Sequence, residues 1–404
     1  MLLSGVVGLV KITLYAKVLS PGQLGYYSLS LLLSTYGMYI CSCGLYEGSI
    51  GIFPRWYGEG RSNEVESARN TIAGFTALST LALLLSLGLV ITSDTLKDMS
   101  TNVVIFLAGL FAGGSTLFVL LLADIRSRLM TLEFGTIIFL RSILSLSLGT
   151  TLAHQYGYIG ILVSEIIITT CITAIIAKYK IHNFAWNLSG FVELKPIFRV
   201  GLPLMLNGVV TNAASNIDRF FVISTLGDTI FGYYSFAMIL ATGGSLVQSI
   251  LSQHIGPEIL YRIGQGDPPK ELLGKLNRCT VVILVSLVLL WYPFSLIVEW
   301  IIPNYFPEYL QAYSIIPIIY VGASVIVVSY YENFIVAFRK TEYLLILNIA
   351  IVAIVLGLSL LCSFWNLSLV SFAIIYVIGR ILYFIFTLIL TQWSVNKLCL
   401  SVDS

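Results

Sequence analysis

The sequence predicts an all-α polytopic membrane protein of about twelve transmembrane helices, in two six-helix bundles related by a parallel pseudo-two-fold repeat. Three observations predict it. The 404 residues are 57% hydrophobic and only 10% charged, against roughly 25% charged in a soluble domain. Apolar runs close to the ~20 residues that cross a hydrocarbon core recur along the whole chain. A short motif in the first half returns in the second at a fixed offset.

The composition excludes several classes. A soluble fold of this length could not cover so much apolar surface with so few charges, whereas lipid as the solvent removes that demand. A formal net charge of +2 lacks the dense basic patch of a nucleic-acid binder, so no nucleic-acid partner is expected. Leu2 to Val18 has no basic front and no small-residue cleavage site, and it reads as a span rather than a signal peptide. The six cysteines fall mostly in apolar segments. Cys41 and Cys43 are separated by a single residue, which is no metal or redox spacing, so all six read as packing residues. The chain shows no His/Cys metal spacing and no glycine-rich phosphate loop ending in Gly-Lys-Ser or Gly-Lys-Thr. No metal, no cofactor and no enzymatic activity are expected, and an ATP-driven pump would need a separate motor subunit.

The apolar runs place spans near 2–18, 24–50, 69–92, 102–123, 133–153, 157–178, 197–225, 229–256, 278–302, 311–338, 342–363 and 368–392. Ser20-Pro21-Gly22, Gly157 and Leu226-Gly227-Asp228 mark tight turns, because these residue types stop helices. Alternate loops, together with Lys397 in the tail, hold 16 of the 22 basic residues. Among them are Arg55, Arg61, Arg126, Arg128, Lys178, Lys180, Arg262, Arg339 and Lys340. The opposite loops hold Lys97 and Lys17. The positive-inside rule then puts both termini in the cytoplasm. The non-cytoplasmic loops are too short to form a domain.

The repeat lies at an offset of 207 residues: Gly25-Tyr26-Tyr27-Ser28 recurs as Gly232-Tyr233-Tyr234-Ser235. Leu19 aligns with Leu226, Thr35 with Thr242, Gly37 with Gly244 and Arg55 with Arg262. Six spans per half is an even number, so both halves face the same way. Transporters built so bind substrate between the halves and alternate access by rocking. The expected organisation is an N-terminal lobe over 1–180, a cytoplasmic linker over 181–196 and a C-terminal lobe over 197–404. Ile197 to Leu206 has no counterpart before Met1, so the first span reads as short at its cytoplasmic end, as a start assigned too late would make it.

Ionisable groups inside spans are costly and face a cavity or a partner. The candidates are Lys11, Arg141, Glu165, Asp218, Arg219, Glu332 and Arg380. Helical spacing gathers Asn207, Thr211, Ser215, Asp218 and Arg219, beside Asn212, on one polar face of span 7. It places Ser4, Gly8, Lys11 and Tyr15 on one face of span 1, and Lys11 aligns with Asp218 across the repeat. Tyr376, Arg380, Tyr383 and Thr387 form a stripe on span 12, and Arg141, Ser145 and Gly149 form one on span 5. Two readings compete. The groups pair with one another, as Asp218 with Lys11, and hold helices together, or they line a wet cavity. In the second reading Lys11, Arg141, Arg219 and Arg380 outnumber Asp218, and such a cavity suits an anionic head group. Arginine grips phosphate with a fork of donors and lysine acts as a point charge. Tyr15, Tyr376 and Tyr383 suit contact with sugar. Asp218, with Glu165 behind it, is the candidate to couple transport to H+ or Na+. Glu332 and Glu165 otherwise read as structural. Pro203, Pro293 and Pro317 mark bends or hinges.

The stretch Leu19-Ser20-Pro21-Gly22-Gln23-Leu24-Gly25-Tyr26-Tyr27-Ser28 resembles the opening of bacterial polysaccharide-unit flippases. These form the O-antigen and capsule branch of the multidrug/oligosaccharidyl-lipid/polysaccharide exporter superfamily. Gly201-Leu202-Pro203, Ser215-Asn216-Ile217-Asp218-Arg219-Phe220 and Gly232-Tyr233-Tyr234-Ser235 resemble the start of that family's second lobe. The likeness covers most of the chain in layout, with its specific motifs in 12–60 and 197–262. It implies two six-helix bundles in a V and a cationic lumen. It also implies transfer of an undecaprenyl-pyrophosphate-linked repeat unit from the cytoplasmic to the outer leaflet of the bacterial inner membrane. Lys11, Arg219 and Arg380 carry over as lumen candidates, with Arg219 alone inside a matching motif. Expected partners are the lipid-linked oligosaccharide, membrane lipids, and the polymerase and glycosyltransferases of the same pathway. The alternatives are another exporter of the superfamily, for drugs or a peptidoglycan precursor, a membrane polysaccharide polymerase or ligase, and a scaffold for glycosyltransferases. Short outer loops weigh against the polymerase, and charged stripes weigh against the scaffold.

Overall fold

The computed structural model describes residues 2–92, 99–181, 183–188, 190–241, 268–326, 331–337, 341–365 and 368–402. Lys97, Thr242, Gly244, Arg262, Arg339 and Lys340 lie outside them. The elements are α1 (Leu2–Val18), α2 (Pro21–Ser42), α3 (Leu45–Gly58), α4 (Ser62–Thr92), α5 (Met99–Ser127), α6 (Thr131–Tyr179) and α7 (Phe191–Leu226). They continue as α8 (228–241), α9 (Pro269–Tyr305), a 3-10 turn at Pro307–Ala312, α10 (Ile316–Ile326), α11 (Glu332–Ala337), α12 (Thr341–Phe364) and α13 (Leu369–Val402). The described helices follow the predicted spans in order, with α2 and α3 sharing the span at 24–50, α6 covering those at 133–153 and 157–178, α10 and α11 falling in that at 311–338, and the span at 229–256 described only to 241; all secondary structure among the described residues is helical. In lipid every backbone polar group must be satisfied internally, and a helix does so within one segment.

Seven described helices are long and apolar enough to cross a membrane, or eight if α2 and α3, which meet at 63°, are one broken span. The breaks fall where the sequence places turns. Ser20 caps α2, accepting from the Gln23 amide at 3.4 Å, and Pro21 opens the helix. The 49 residues of α6 would run roughly 73 Å as one helix. Gly157 divides it into two limbs with φ 59° and ψ −140°, a conformation that costs glycine little. Gly227, at φ 87°, ends α7. The α2–α3 bend was not predicted. It follows from consecutive left-handed residues, Cys43 at φ 46° and Gly44 at φ 83°.

The chain divides into two compact units, Met1–Val209 and Val210–Ser404. The division falls inside α7, beyond the 181–196 linker read from the sequence. The reason is close packing of the first half of α7 on α3. A Cβ on Gly201 would sit 1.8 Å from the Gly44 carbonyl oxygen, and one on Gly48 would sit 2.1 Å from that of Ile197. Helix contacts of this kind are made by small residues in membranes. Elsewhere in this unit the Ser34 hydroxyl donates to the Ala108 carbonyl at 3.0 Å, and Ser79 donates to that of Cys41 at 2.7 Å. Leu45, Phe53, Trp56, Ile72 and Ile197 form one core, and Phe118, Ile168, Ile172 and Ile181 form another.

The linker is tied down at the end of the N-terminal unit. Asn70 donates to the Asn183 carbonyl at 2.8 Å, and the Asn187 amide donates to that of Asn70 at 3.4 Å. Beneath it Asp124, fully buried, accepts from Arg69 at 3.0 Å, Arg128 at 2.8 Å and the Tyr57 hydroxyl at 2.5 Å. The C-terminal unit packs Leu272, Leu273, Leu276, Tyr331, Phe334 and Val395 into its own core. Leu85, Leu89, Val282, Val288 and Leu289 are each more than 60% exposed, as lipid-facing side chains are in a membrane protein.

Candidate functional site

Besides the Asp124 cluster, each unit holds a buried polar centre at the helix that opens its half. In the N-terminal unit that helix is α1. Lys11 Nζ lies 2.7 Å from Glu165 Oε1 on the second limb of α6 and donates to Ser145 Oγ at 3.2 Å. Ser145 also donates to Glu165. Arg141 Nη2 stands 3.8 Å from Glu165 Oε2, its Nε donates to Thr169 Oγ1 at 3.2 Å, and its guanidinium lies 4.7 Å from the Phe118 ring centre. Tyr15 donates to the Ser145 carbonyl at 2.8 Å. Gly149 makes room for it, since a Cβ there would stand 1.9 Å from the Tyr15 hydroxyl oxygen. The centre carries two cations and one carboxylate.

In the C-terminal unit α7 plays the same part. A cavity of about 240 Å³ is lined by Ser215 and Asp218 from α7, Glu332 from α11, Asn348 from α12, and Tyr376, Arg380 and Tyr383 from α13. Arg380 donates to Ser215 Oγ at 3.2 Å, and its guanidinium carbon sits 5.0 Å from the Tyr376 ring centre. Tyr383 donates to Glu332 Oε1 at 2.8 Å, and Asn348 donates to Thr211 Oγ1 at 3.0 Å. Asp218 is 1% exposed and accepts from the buried hydroxyl of Tyr234.

The candidates read from the sequence divide as follows. Lys11, Arg141 and Glu165 meet in the first centre. Ser215, Asp218, Tyr376, Arg380 and Tyr383 meet in the second. Arg219, Asn207 and Asn212 are half-buried on α7 but do not line the cavity. Arg219 Nε is buried without a hydrogen-bond partner among the described residues. Asn212 offers its carbonyl to Asn216 at 2.9 Å. Ser4 is in α1, but its side chain lies outside the described residues.

Two expectations are corrected. Lys11 pairs with Glu165, within its own unit, and not with Asp218, whose carboxylate is taken by Tyr234. The positive excess is also smaller than the stripes indicate. Glu165 and Glu332 sit inside the two centres, so Lys11, Arg141, Arg219 and Arg380 stand against three carboxylates rather than one. One-helix periodicity cannot show this, because Glu165 reaches Lys11 from another helix and Arg141 from the other limb of α6, and Glu332 and Arg380 reach the cavity from different helices.

The sequence held a signal for some of what the stripes missed. The 207-residue offset takes Tyr27 to Tyr234, Arg141 to Asn348 and Thr169 to Tyr376, all of them at these centres. It also aligns Leu162-Val163-Ser164 with Leu369-Val370-Ser371. Glu332 maps to Ile125 and carried no such signal.

The polytopic helical fold, with buried charge in each unit, is similar to that of several solved structures. An inward-facing multidrug resistance MATE family transporter of the MOP superfamily superposes with a TM-score of 0.72 at 15% identity, covering 98% of this chain and 95% of that one. The lipid II flippase MurJ in an inward closed conformation gives 0.72 at 16% identity, covering 96% and 86%. A MOP superfamily transporter from Pyrococcus furiosus, described as having reverse polarity of its binding pocket, gives 0.68 at 16% identity, covering 98% and 94%. Residues 63–257 match the family model described as polysaccharide biosynthesis protein. No curated protein matches the chain. These likenesses show the fold that the chain shares with those transporters.

Proposed function

We propose that this multi-pass membrane protein is a flippase for an undecaprenyl-pyrophosphate-linked oligosaccharide, an O-antigen or capsule repeat unit. It moves its cargo from the cytoplasmic to the outer leaflet of a bacterial inner membrane by alternating access, with both termini in the cytoplasm. The observation that carries this reading is the polysaccharide-biosynthesis match over 63–257 on a chain with an exporter fold. The N-terminal centre supports it chemically. Lys11 and Arg141 share a single carboxylate, leaving one positive charge for a phosphate. In the C-terminal unit Arg380 is the cation lining the cavity, where Tyr376 and Tyr383 suit sugar. Glu165 is engaged by Lys11, Arg141 and Ser145, so Asp218 is the better coupling group for H+ or Na+. Pathway partners are a polymerase and glycosyltransferases.

A second reading, an exporter of the same superfamily with a different cargo, is favoured by one observation. Asp218 and Glu332 outnumber Arg380 among the charged side chains that line the C-terminal cavity, an excess of acid that suits a cationic cargo. The discriminating experiment uses cells whose surface polymer depends on this chain. Arg141→Ala, Arg219→Ala and Arg380→Ala are expected to abolish surface polymer at normal protein levels while the lipid-linked unit accumulates inside. Full surface polymer in all three would overturn the phosphate-binding reading.

A further inference from the structure

The N-terminal unit carries a second concave feature, separate from its polar centre. A groove of about 450 Å³ runs between α5, the second limb of α6 and the linker. At its floor Gly114 faces Thr170, and a Cβ added to Gly114 would meet Thr170 Oγ1 at 3.7 Å. Ala174, exposed, continues the floor. Leu117, Leu121 and Phe184 form the walls. One end is marked by Trp186, 59% exposed and packed edge-to-face on Phe184 with ring centres 5.4 Å apart, and by Lys178.

We propose that this groove holds one acyl chain of an anionic phospholipid, with its phosphate at Lys178. The apolar slot lies along a membrane-spanning helix, so hydrocarbon is the medium that fills it. Tryptophan and lysine at one end of a span mark the level of the head groups, and basic pockets between spanning helices bind anionic head groups. The charge complementarity is specific to Lys178. Neighbouring Lys180 is tied to Glu133 at 2.8 Å, whereas Lys178 has no carboxylate partner among the described residues and rests 5.2 Å from the Tyr179 ring centre.

The occupant is a resident lipid and not the transported one. Lys178 stands nine residues beyond Thr169, the α6 residue that Arg141 contacts, which is roughly 13.5 Å along the helix. A head group seated at Lys178 is therefore remote from the Lys11–Arg141 centre. The lipid chain bridges the linker to α5 and α6, and so stabilises the unit as any ligand of the folded state does.

The test uses the full chain, purified in detergent and stripped of lipid. Phosphatidylglycerol and phosphatidylcholine with identical acyl chains, and undecaprenyl phosphate, are added in separate arms while thermal unfolding is followed. Phosphatidylglycerol is expected to raise the midpoint by several degrees more than phosphatidylcholine. Lys178→Ala should erase that difference, and Ala174→Phe should erase the response to both phospholipids. Equal stabilisation by the two phospholipids, a preference intact in Lys178→Ala, or a larger response to undecaprenyl phosphate than to phosphatidylglycerol would each overturn the proposal. Lys178 is exposed, so its variant reports even where Ala174→Phe does not fold. Flippase activity in cells is not a readout here, so failure of this proposal leaves the transport reading untouched.

Discussion

Lys11 and Glu165, 154 positions apart in the chain, form an ion pair of 2.7 Å that fastens α1 to the second limb of α6. Their side chains are 17% and 4% exposed. The pair converts a lysine inside a membrane span from a liability into a fixed point, and it holds Arg141 close enough to share the same carboxylate. Breaking a buried pair by removing one partner strands a charge and costs about 3–5 kcal/mol, while removing both costs far less. Glu165→Gln is therefore expected to lower the thermal midpoint of the purified protein sharply. The double variant Lys11→Met/Glu165→Gln should recover much of the loss. Equal destabilisation by the single and double variants would show that the pair contributes little.

Asp218 and Tyr234 allow charge to be separated from hydrogen bonding. In Asp218→Asn the amide oxygen can still accept from Tyr234, so the variant should fold with a near-normal midpoint. If Asp218 couples transport to an ion, the same variant loses the dependence of transport on a proton or sodium gradient in vesicles. Tyr234→Phe leaves the buried carboxylate without that donor and should destabilise by about 1–3 kcal/mol. An unchanged gradient dependence in Asp218→Asn would remove this group from coupling.

The contact between α3 and α7 predicts opposite outcomes at nearby glycines. Gly48→Ala and Gly201→Ala force a Cβ within 2.1 and 1.8 Å of a backbone oxygen. Each should cost at least about 1–3 kcal/mol through overpacking, seen as loss of folded yield in fluorescence-detected size exclusion. Gly51→Ala meets nothing within 4 Å and should be neutral, or stabilising by up to about 1 kcal/mol through helix propensity.

The linker clamp is open to limited proteolysis. Asn70→Ala removes the 2.8 Å bond to the Asn183 carbonyl, a net loss of about 0.5–1.5 kcal/mol. The global midpoint should change little, while cleavage within 181–190 should speed up several-fold. Cleavage at the wild-type rate would mean that Phe184 and Ile181, which pack into the core beneath, hold the linker without help from Asn70.

Much of the fold was legible because lipid narrows the choices. Where every backbone group must be bonded inside its own segment, a run of ~20 apolar residues has one outcome, and Ser20-Pro21, Gly157 and Gly227 had to be where helices stop. The α2–α3 bend escaped notice because Cys43 in a left-handed conformation has no sequence signature comparable to a proline. The polar stripes were readable for a related reason: Ser215 and Asp218 lie three residues apart and share a helix face.

The sequence by itself determined that the chain spans a membrane many times, that its halves repeat at an offset of 207, and that charges lie deep on α1, α6, α7 and α13. These follow from hydropathy and helical period, which are local properties. Tertiary structure alone decided the partners: Glu165 for Lys11, Tyr234 for Asp218, Glu332 for Tyr383, and the first half of α7 for α3. Pairing depends on which faces meet after helices have packed, and the packing of apolar faces against one another is a collective choice that no single helix encodes.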